Sequence, residues 1–461
     1  MKANLHGAVV ASEPYGIDTA VSPWRPIHYL GSKLRALTSI EDALSSVTSV
    51  GSTVYDIFSG SGTVSSFLAQ SRPVVSVDIQ EYSRVLNNSL LSPVAVSFDE
   101  VGQLLSTRID ESLKSGVISA VMPLIEVEQE AIKLASQGKT ELLADLLEAG
   151  SLQISVTKSA NAIVDKAHRE AERRISSLSD AGKYSAMMLR HFGGLYFSFR
   201  QAAELDVILS LSHSYRQDTK DTLIAAALTC ASDLVNTVGK QFAQPIRPRN
   251  KEGMVKGNLY GLVARDRMRV ASTSFLSAIS KYSNLRRPPF DCRAVRLDYL
   301  DFIRETNLKG GVVYADPPYT RDHYSRFYHV LETMALRDDP RISTNKVNGQ
   351  VLPSRGAYRE ERHQSPFCIR SQAPLAFDQM FEGVAVQGVP IVVSYSPYAA
   401  DKDAHPRVMT IDAILEISRN YYAEVDVVSV GSFVHSKLNR TDLNKEGAAE
   451  AEFLIICKGA R

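Results

Sequence analysis

Residues 52–90 constrain the fold more than any other stretch of the chain. Thr53-Val54-Tyr55-Asp56-Ile57-Phe58 is rich in β-branched and aromatic residues and reads as a strand. Ser59-Gly60-Ser61-Gly62-Thr63 is a tight turn, and a helix begins at Val64 and runs to Gln70. Pro73-Val74-Val75-Ser76-Val77-Asp78 then reads as a second strand ending in a carboxylate. Strand, glycine turn, helix and strand make a β-α-β unit, whose crossover implies parallel pairing. Glycine at the first turn lets a ligand approach the backbone closely. Asp78 at the second strand's tip is placed to bind two ribose hydroxyls. A dinucleotide site would want G-x-G-x-x-G, but its third position here is Ser65. A nucleoside without phosphates fits this turn better. A flavodoxin-like or other α/β domain binding something else is the plainer alternative.

A second apolar run, Gly311-Val312-Val313-Tyr314, reads as a short buried strand. It leads into Ala315-Asp316-Pro317-Pro318-Tyr319, where two prolines forbid helix and further ladder pairing. A carboxylate and an aromatic ring are thereby held at a strand's carboxyl end, the edge where open α/β sheets bind ligands. An exocyclic amine is a poor nucleophile because its lone pair is delocalised into the ring. A carboxylate and a backbone carbonyl accepting its two hydrogens would restore that lone pair, and Tyr319 would hold a flat base still. The residues suit chemistry on an amino group attached to a planar base. A plain Asp-Pro turn after a strand is the competing reading.

The remaining segments set the organisation. Leu30, Leu34, Leu37 and Ile40 recur at helical spacing, placing Gly31 and Ser32 near a helix start and Lys33 in its first turn. Gly31-Ser32-Lys33 lacks the earlier glycine of a P-loop. Residues 95–235 are helical by pattern, with an aromatic-dense stretch from His191 to Leu209 that reads as core. A further strand is expected to end at Asp298. Residues 335–375 are polar and irregular and read as a long mobile loop or lid. Val389 to Ser396 reads as a buried strand, a helix follows at 411–420, and strands near 423–434 and 452–457 flank a charged loop.

Charge is segregated. The chain carries a net +1, yet residues 240–296 hold thirteen Lys and Arg against three Asp and Glu. A local excess of this size suggests a polyanion partner, with Arg247, Arg249, Arg265 and Arg267 as candidate phosphate contacts. A solvated charge run is the alternative. The four cysteines, Cys230, Cys292, Cys368 and Cys457, form no C-x-x-C pair, which argues against a zinc site or a disulfide framework. No apolar run approaches a membrane span and the N-terminus shows no signal pattern, so a cytoplasmic enzyme without a metal is expected.

Taken in order, Tyr29-x-Gly31-Ser32-Lys33, Asp56-Ile57-Phe58-Ser59-Gly60-Ser61-Gly62-Thr63, Asp78 and Asp316-Pro317-Pro318-Tyr319 resemble the D12 class, the Dam-like alpha group, of DNA adenine-N6 methyltransferases. Phe192 to Ala202 and Tyr328 to Glu332 resemble a branch of the same class. The resemblance spans about 28–90 and 191–457. It implies a Rossmann-like α/β fold with a mostly parallel seven-stranded sheet and a large inserted, mainly helical target-recognition domain. It divides the chain into a cofactor-binding half at 1–94, a helical recognition region at 95–290 and a catalytic half at 291–461. It implies S-adenosyl-L-methionine as methyl donor, double-stranded DNA as partner and a flipped adenine as acceptor. A restriction nuclease or defence-system subunit is a candidate companion. Carried over by position, Tyr29 and Lys33 would contact the cofactor's methionine end, and Asp56, Phe58, Gly60 and Gly62 would line that pocket. Asp78 would hold the ribose and Asp298 the cofactor's adenine. Asp316 and the Pro317 carbonyl would take the amine's hydrogens, with Pro318 fixing the turn and Tyr319 stacking on the ring.

Two other readings stand beside this one. An RNA adenine-N6 methyltransferase would use the same pocket. A catalytically silent nucleic-acid-binding subunit would have no chemical reason to keep Gly60, Gly62, Asp78, Asp316 and Tyr319 together.

Overall fold

A computed structural model describes residues 24–31, 33–154, 161–178, 186–320, 324–347, 349–396, 407–430 and 452–461. Pro14, Pro23, Ser32, the 321–323 segment and the charged loop before the last strand lie outside these residues.

The β-α-β unit forms as its sequence dictates. Helix α1 (Leu37–Ser45) precedes strand β1 (Val54–Asp56), helix α2 (Thr63–Leu68), strand β2 (Val74–Asp78) and helix α3 (Glu81–Leu91). Strands β3 (Arg293–Arg296) and β4 (Val312–Ala315) follow. β5 (Thr344–Val347) and β6 (Gln350–Pro353) pair only with each other. β7 (Ile391–Tyr395), β8 (Tyr422–Ser429) and β9 (Phe453–Ala460) complete a seven-stranded sheet in the order β3-β2-β1-β4-β7-β9-β8. Every pair from β3 to β7 is parallel, and β9 runs antiparallel to both β7 and β8. The expected mostly parallel sheet is therefore present. β1, β4 and β7 are buried throughout, as strands covered by helices on both faces must be.

The chain moves outward from β1 to β2 and β3, then returns to place β4 on β1's other side. A crevice opens at the carboxyl ends where the order reverses, and such switch points are where open α/β sheets bind ligands.

The described residues between 98 and 283 are largely helical, including Phe98–Ser115, Val117–Ser136, Phe199–Ser212 and Gln217–Leu234. Their apolar faces do not close on themselves alone. One continuous core joins Val121, Leu124, Ile208 and Leu228 to Val85 and Leu86 of α3 and to Val330 and Leu331 of the helix His329–Leu336. The aromatic-dense stretch belongs to this core: Phe192, Tyr196, Phe197 and Phe199 are fully buried. Ser198 and Gln201 form a reciprocal capping box that starts the helix Phe199–Ser212.

Three local expectations are corrected. Lys33 is not in a helix's first turn. Gly31 has φ +73°, the Ala36 N–H bonds to the Lys33 carbonyl, and α1 starts only at Leu37. β3 ends at Arg296, and Asp298 instead caps the helix Tyr299–Glu305 by accepting from the Leu300 N–H at 2.9 Å. Residues 335–375 are not one irregular loop. They contain the antiparallel pair of β5 and β6, turning at Gly349 with φ +80°, followed by a short 3-10 turn at Pro366–Cys368. Among the described residues no helix is long and apolar enough to cross a membrane.

Candidate active site

Three acids stand at the carboxyl ends of adjacent strands, β1 stopping at Asp56, two residues before the Phe58 end expected from the sequence. Asp56 ends β1, Asp78 ends β2, and Asp316 follows β4 directly. All three line one cleft, together with Tyr29, Lys33, Phe58, Gly60, Asp298, Pro317, Pro318 and Tyr319. The structure thus brings together eleven of the twelve residues that the sequence points to for cofactor and catalysis. Gly62 is the exception. It has φ +80° at the start of α2, and a Cβ there would lie 2.8 Å from Asn87 Oδ1 and from Leu90 Cδ1, on the side facing α3. Its role is the packing of α2 against α3 rather than the pocket surface. Gly60 is different: with φ +50°, its missing Cβ leaves room for Tyr29, whose hydroxyl oxygen would otherwise be 2.5 Å away.

Asp78 accepts from the Gly60 N–H at 3.0 Å and from the Gln80 N–H at 2.9 Å, which fixes its carboxylate at the turn. Burial nevertheless holds its pKa above the ordinary range, these bonds opposing the shift. The start of α3 next to it is capped by a distant acid, the Glu332 of the Tyr328–Glu332 stretch, a contact that the sequence does not reveal. Glu332 accepts from the Glu81 and Tyr82 N–H groups at 3.1 and 3.0 Å, satisfying donors that a helix start leaves open.

Asp56 is 1% exposed. Its Oδ2 accepts from Ser65 at 2.6 Å, and its Oδ1 is buried without a hydrogen-bond partner. Burial raises its pKa to about 7 in spite of the Ser65 bond. A buried carboxylate among the residues lining a cleft suits a cationic ligand group, such as the ammonium of an amino acid.

Lys33 is 4% exposed and lies between two acids, 2.9 Å from Asp316 Oδ2 and 3.4 Å from Glu452 Oε1. Burial opposes its charge, but the two carboxylates outweigh it and hold its pKa well above the usual range. Glu452, just before β9, is 1% exposed and also accepts from Ser394 at 2.7 Å. It is a second residue the sequence does not reveal.

Aromatic rings form the walls. Phe58, Tyr299 and Phe367 pack at 5.2–5.4 Å on the Asp298 side. Tyr29 stacks on Tyr328 at 4.9 Å, and the Tyr328 hydroxyl accepts from the Leu30 N–H at 2.7 Å, clipping the entry segment to the body. Tyr319 is 6% exposed, with the Arg407 guanidinium 4.8 Å and the Lys33 ammonium 5.5 Å from its centroid.

The four candidate arginines separate. Arg247 and Arg265 are exposed. Arg249 is held by Asp145, Glu141 and Glu148 at 2.8, 2.9 and 3.1 Å. The side chain of Arg267 is wholly buried, pairing with Glu128 at 2.6 Å and donating to Asn236 and the Gly194 carbonyl. The polyanion reading is thus corrected at two positions: Arg249 is neutralised by one acidic helix face, and Arg267 ties helices together inside the core. Composition counts charges but does not show where they point. Among the described residues no group of three His, Cys, Asp or Glu is arranged to hold a metal.

Residues 29–112 match the D12 class N6 adenine-specific DNA methyltransferase family. The matched segment begins at Tyr29 and contains Lys33, Asp56, Gly60 and Asp78. The chain is also similar to the modification methylase LlaI of Lactococcus lactis subsp. lactis, 25% identical over 187 residues. That alignment covers 39% of this chain and 27% of LlaI, so the similarity spans about a quarter of the relative's length.

Proposed function

We propose that the protein is an S-adenosyl-L-methionine-dependent DNA adenine-N6 methyltransferase. The observation that carries the reading is the convergence of Asp56, Asp78 and Asp316 on one cleft, with Lys33 and Tyr319 beside Asp316. The match of residues 29–112 supports the reaction class.

The donor set fits the cofactor residue by residue. The unpartnered Asp56 Oδ1 receives the ammonium, and Asp78, already fixed by two backbone bonds, receives the ribose hydroxyls. Phe58 and Asp298 take the adenine ring, and Tyr29 closes the turn at Gly60. When bound, S-adenosyl-L-methionine supplies an electrophilic methyl group. Asp316 and the Pro317 carbonyl accept the two hydrogens of the target amine and leave its lone pair free for in-line attack. Lys33 holds Asp316 in place. Tyr319 presents its ring to the flipped base, which takes the place of Arg407 if it stacks on that face. Catalysis is alignment and electrostatics, with no covalent enzyme–base adduct.

Residues 95–290, mainly helical, serve as the target-recognition region in this reading, and the exposed Arg247 and Arg265 face phosphate. The name of LlaI supports a modification role, and a restriction nuclease or defence-system subunit is the companion we propose. We assign the protein to the cytoplasm, in keeping with four cysteines that are all free.

The test is methyl transfer from labelled cofactor to duplex DNA and, in parallel, to folded RNA, followed by digestion and mass spectrometry of the nucleosides. N6-methyldeoxyadenosine is the expected product. Methylated cytidine would refute the adenine assignment alone, methylated RNA the DNA assignment, and no transfer to either the enzyme reading.

A further inference from the structure

Tyr358, after the β5–β6 hairpin, is the centre of a second charged constellation. The Arg326 and Arg362 guanidiniums both stand over its ring, 5.6 and 5.4 Å from the centroid. Its hydroxyl donates to the Ala243 carbonyl, which anchors the ring to the 243–247 segment. Arg355 donates to the Ile246 carbonyl at 3.3 Å, beside Arg247. Two guanidiniums therefore stand over one aromatic ring, and Arg247 and Arg355 lie along the 243–247 segment to which that ring is tied. Arg247, Arg326 and Arg355 are exposed and Arg362 is half-buried. Among the described residues, none of the four has a carboxylate within ion-pair distance, whereas the neighbouring Arg359 is buried and paired with Asp338 at 2.6 Å. Arg362 Nη1 is buried and makes no hydrogen bond. Burial, with Arg326 adding to it, holds the Arg362 guanidinium below its usual range.

A like-charged group left unpaired in this way is stabilised by an anion, and planar guanidinium forks match phosphate oxygens. Position says which anion. Arg326 directly follows Ser325, and Arg362 directly precedes His363 and Gln364; Ser325, His363 and Gln364 line the active-site cleft. A base drawn out of a duplex stays tied to its flanking phosphates, which must come to rest at the rim of the pocket that receives it. We propose that Arg247, Arg326, Arg355 and Arg362, at and beside Tyr358, form a binding site for the phosphodiester backbone of the DNA strand whose base enters the cleft. The inference rests on the base-modifying reading of that cleft. It keeps Arg247 from the 240–296 stretch, drops Arg249 and Arg267, and adds three arginines of the 324–362 region that the charge excess does not include.

The test uses the full chain and a short mixed-sequence DNA duplex, with binding measured across a salt series. Replacing Arg326 and Arg362 together by alanine should reduce the slope of log affinity against log salt by roughly 0.9 for each phosphate left without its guanidinium. The Arg326→Lys, Arg362→Lys pair should keep most of the slope, because point charge survives where the fork is removed. Thermal melting and calorimetry with S-adenosyl-L-methionine control for folding, and both should stay near the parent's. A parent slope retained in a folded, cofactor-binding alanine variant would overturn the phosphate site and leave the methyltransferase reading intact. Cofactor binding by a parent that binds neither DNA nor RNA would overturn both. Tighter binding of an RNA hairpin than of the duplex, with the same arginine dependence, would overturn the assignment to DNA.

Discussion

Lys33 Nζ lies 2.9 Å from Asp316 Oδ2, and this pair joins the segment that enters the fold to the acid that follows β4. Because Lys33 also touches Glu452 at 3.4 Å, removing Asp316 does not strand a buried cation. Asp316→Ala should therefore fold and bind cofactor. Methyl transfer should fall on the order of 10²–10³-fold or more, the scale for deleting one group that acts in the transition state. Single-turnover kinetics beside a thermal melt checks this, and near-normal turnover would remove Asp316 from the chemistry.

Glu452 shares the same lysine from the opposite side. With Glu452→Gln, Lys33 pairs with Asp316 alone and draws that carboxylate away from the amine. Turnover should drop roughly tenfold, about 1.4 kcal/mol of barrier, while KM for DNA changes little. A change in KM alone would mean that Glu452 acts on substrate binding and not on the orientation of Asp316.

The three strand-end acids are legible in the sequence because each signal is local: a short run rich in β-branched and aromatic residues, then Asp. Asp56, Asp78 and Asp316 all follow that grammar. Glu332 and Glu452 do not. Each meets its partner across the fold, Glu332 at the start of α3 and Glu452 at Lys33. A Glu whose partner lies far away in the chain carries no local mark of what it will touch. The arginines mislead for another reason. Arg249 and Arg267 look identical to Arg247 in a charge count, and only burial and the acidic neighbours separate them. At Lys33 the spacing of Leu30 and Leu34 points to a helix. The positive φ of Gly31 breaks that register and turns the lysine inward.

The buried pair Arg267–Glu128 makes the structural assignment testable. Arg267→Ala leaves the Glu128 carboxylate buried with only the Phe199 N–H at 2.8 Å. Breaking a buried pair on one side costs about 3–5 kcal/mol. Denaturant unfolding should show a loss of that size for Arg267→Ala and close to none for Arg247→Ala. Equal, small effects would return Arg267 to the surface as a phosphate contact.

Gly60 and Gly62 should separate by phenotype. A methyl at Gly60 meets the Tyr29 hydroxyl at 2.5 Å at the edge of the cleft, so Gly60→Ala should weaken S-adenosyl-L-methionine binding. A methyl at Gly62 meets Asn87 and Leu90 between α2 and α3, so Gly62→Ala should lower the melting temperature first. Calorimetry and melting on both variants decide this. The reverse pattern would put Gly62, and not Gly60, at the pocket surface.

Asp56 gives the cleft a pH dependence whose sign follows from burial. Its folded pKa is raised to about 7, above the unfolded carboxylate value near 4. The folded protein therefore binds more protons than the unfolded chain between those values. The stability this contributes is fully present below the unfolded pKa and is lost as pH rises towards 7. Ligand binding runs the other way. A cationic ammonium needs Asp56 charged, so cofactor affinity should rise with pH, up to about tenfold per unit below 7, and level off above it. Calorimetric titrations from weakly acid to weakly basic pH, beside melts of the ligand-free protein, should show the two trends opposed. Asp56→Asn keeps the shape and removes the proton. It should bind cofactor weakly at every pH and lose both slopes near 7. A parent-like pH profile in that variant would assign the titration to another group in the cleft and detach Asp56 from the ammonium.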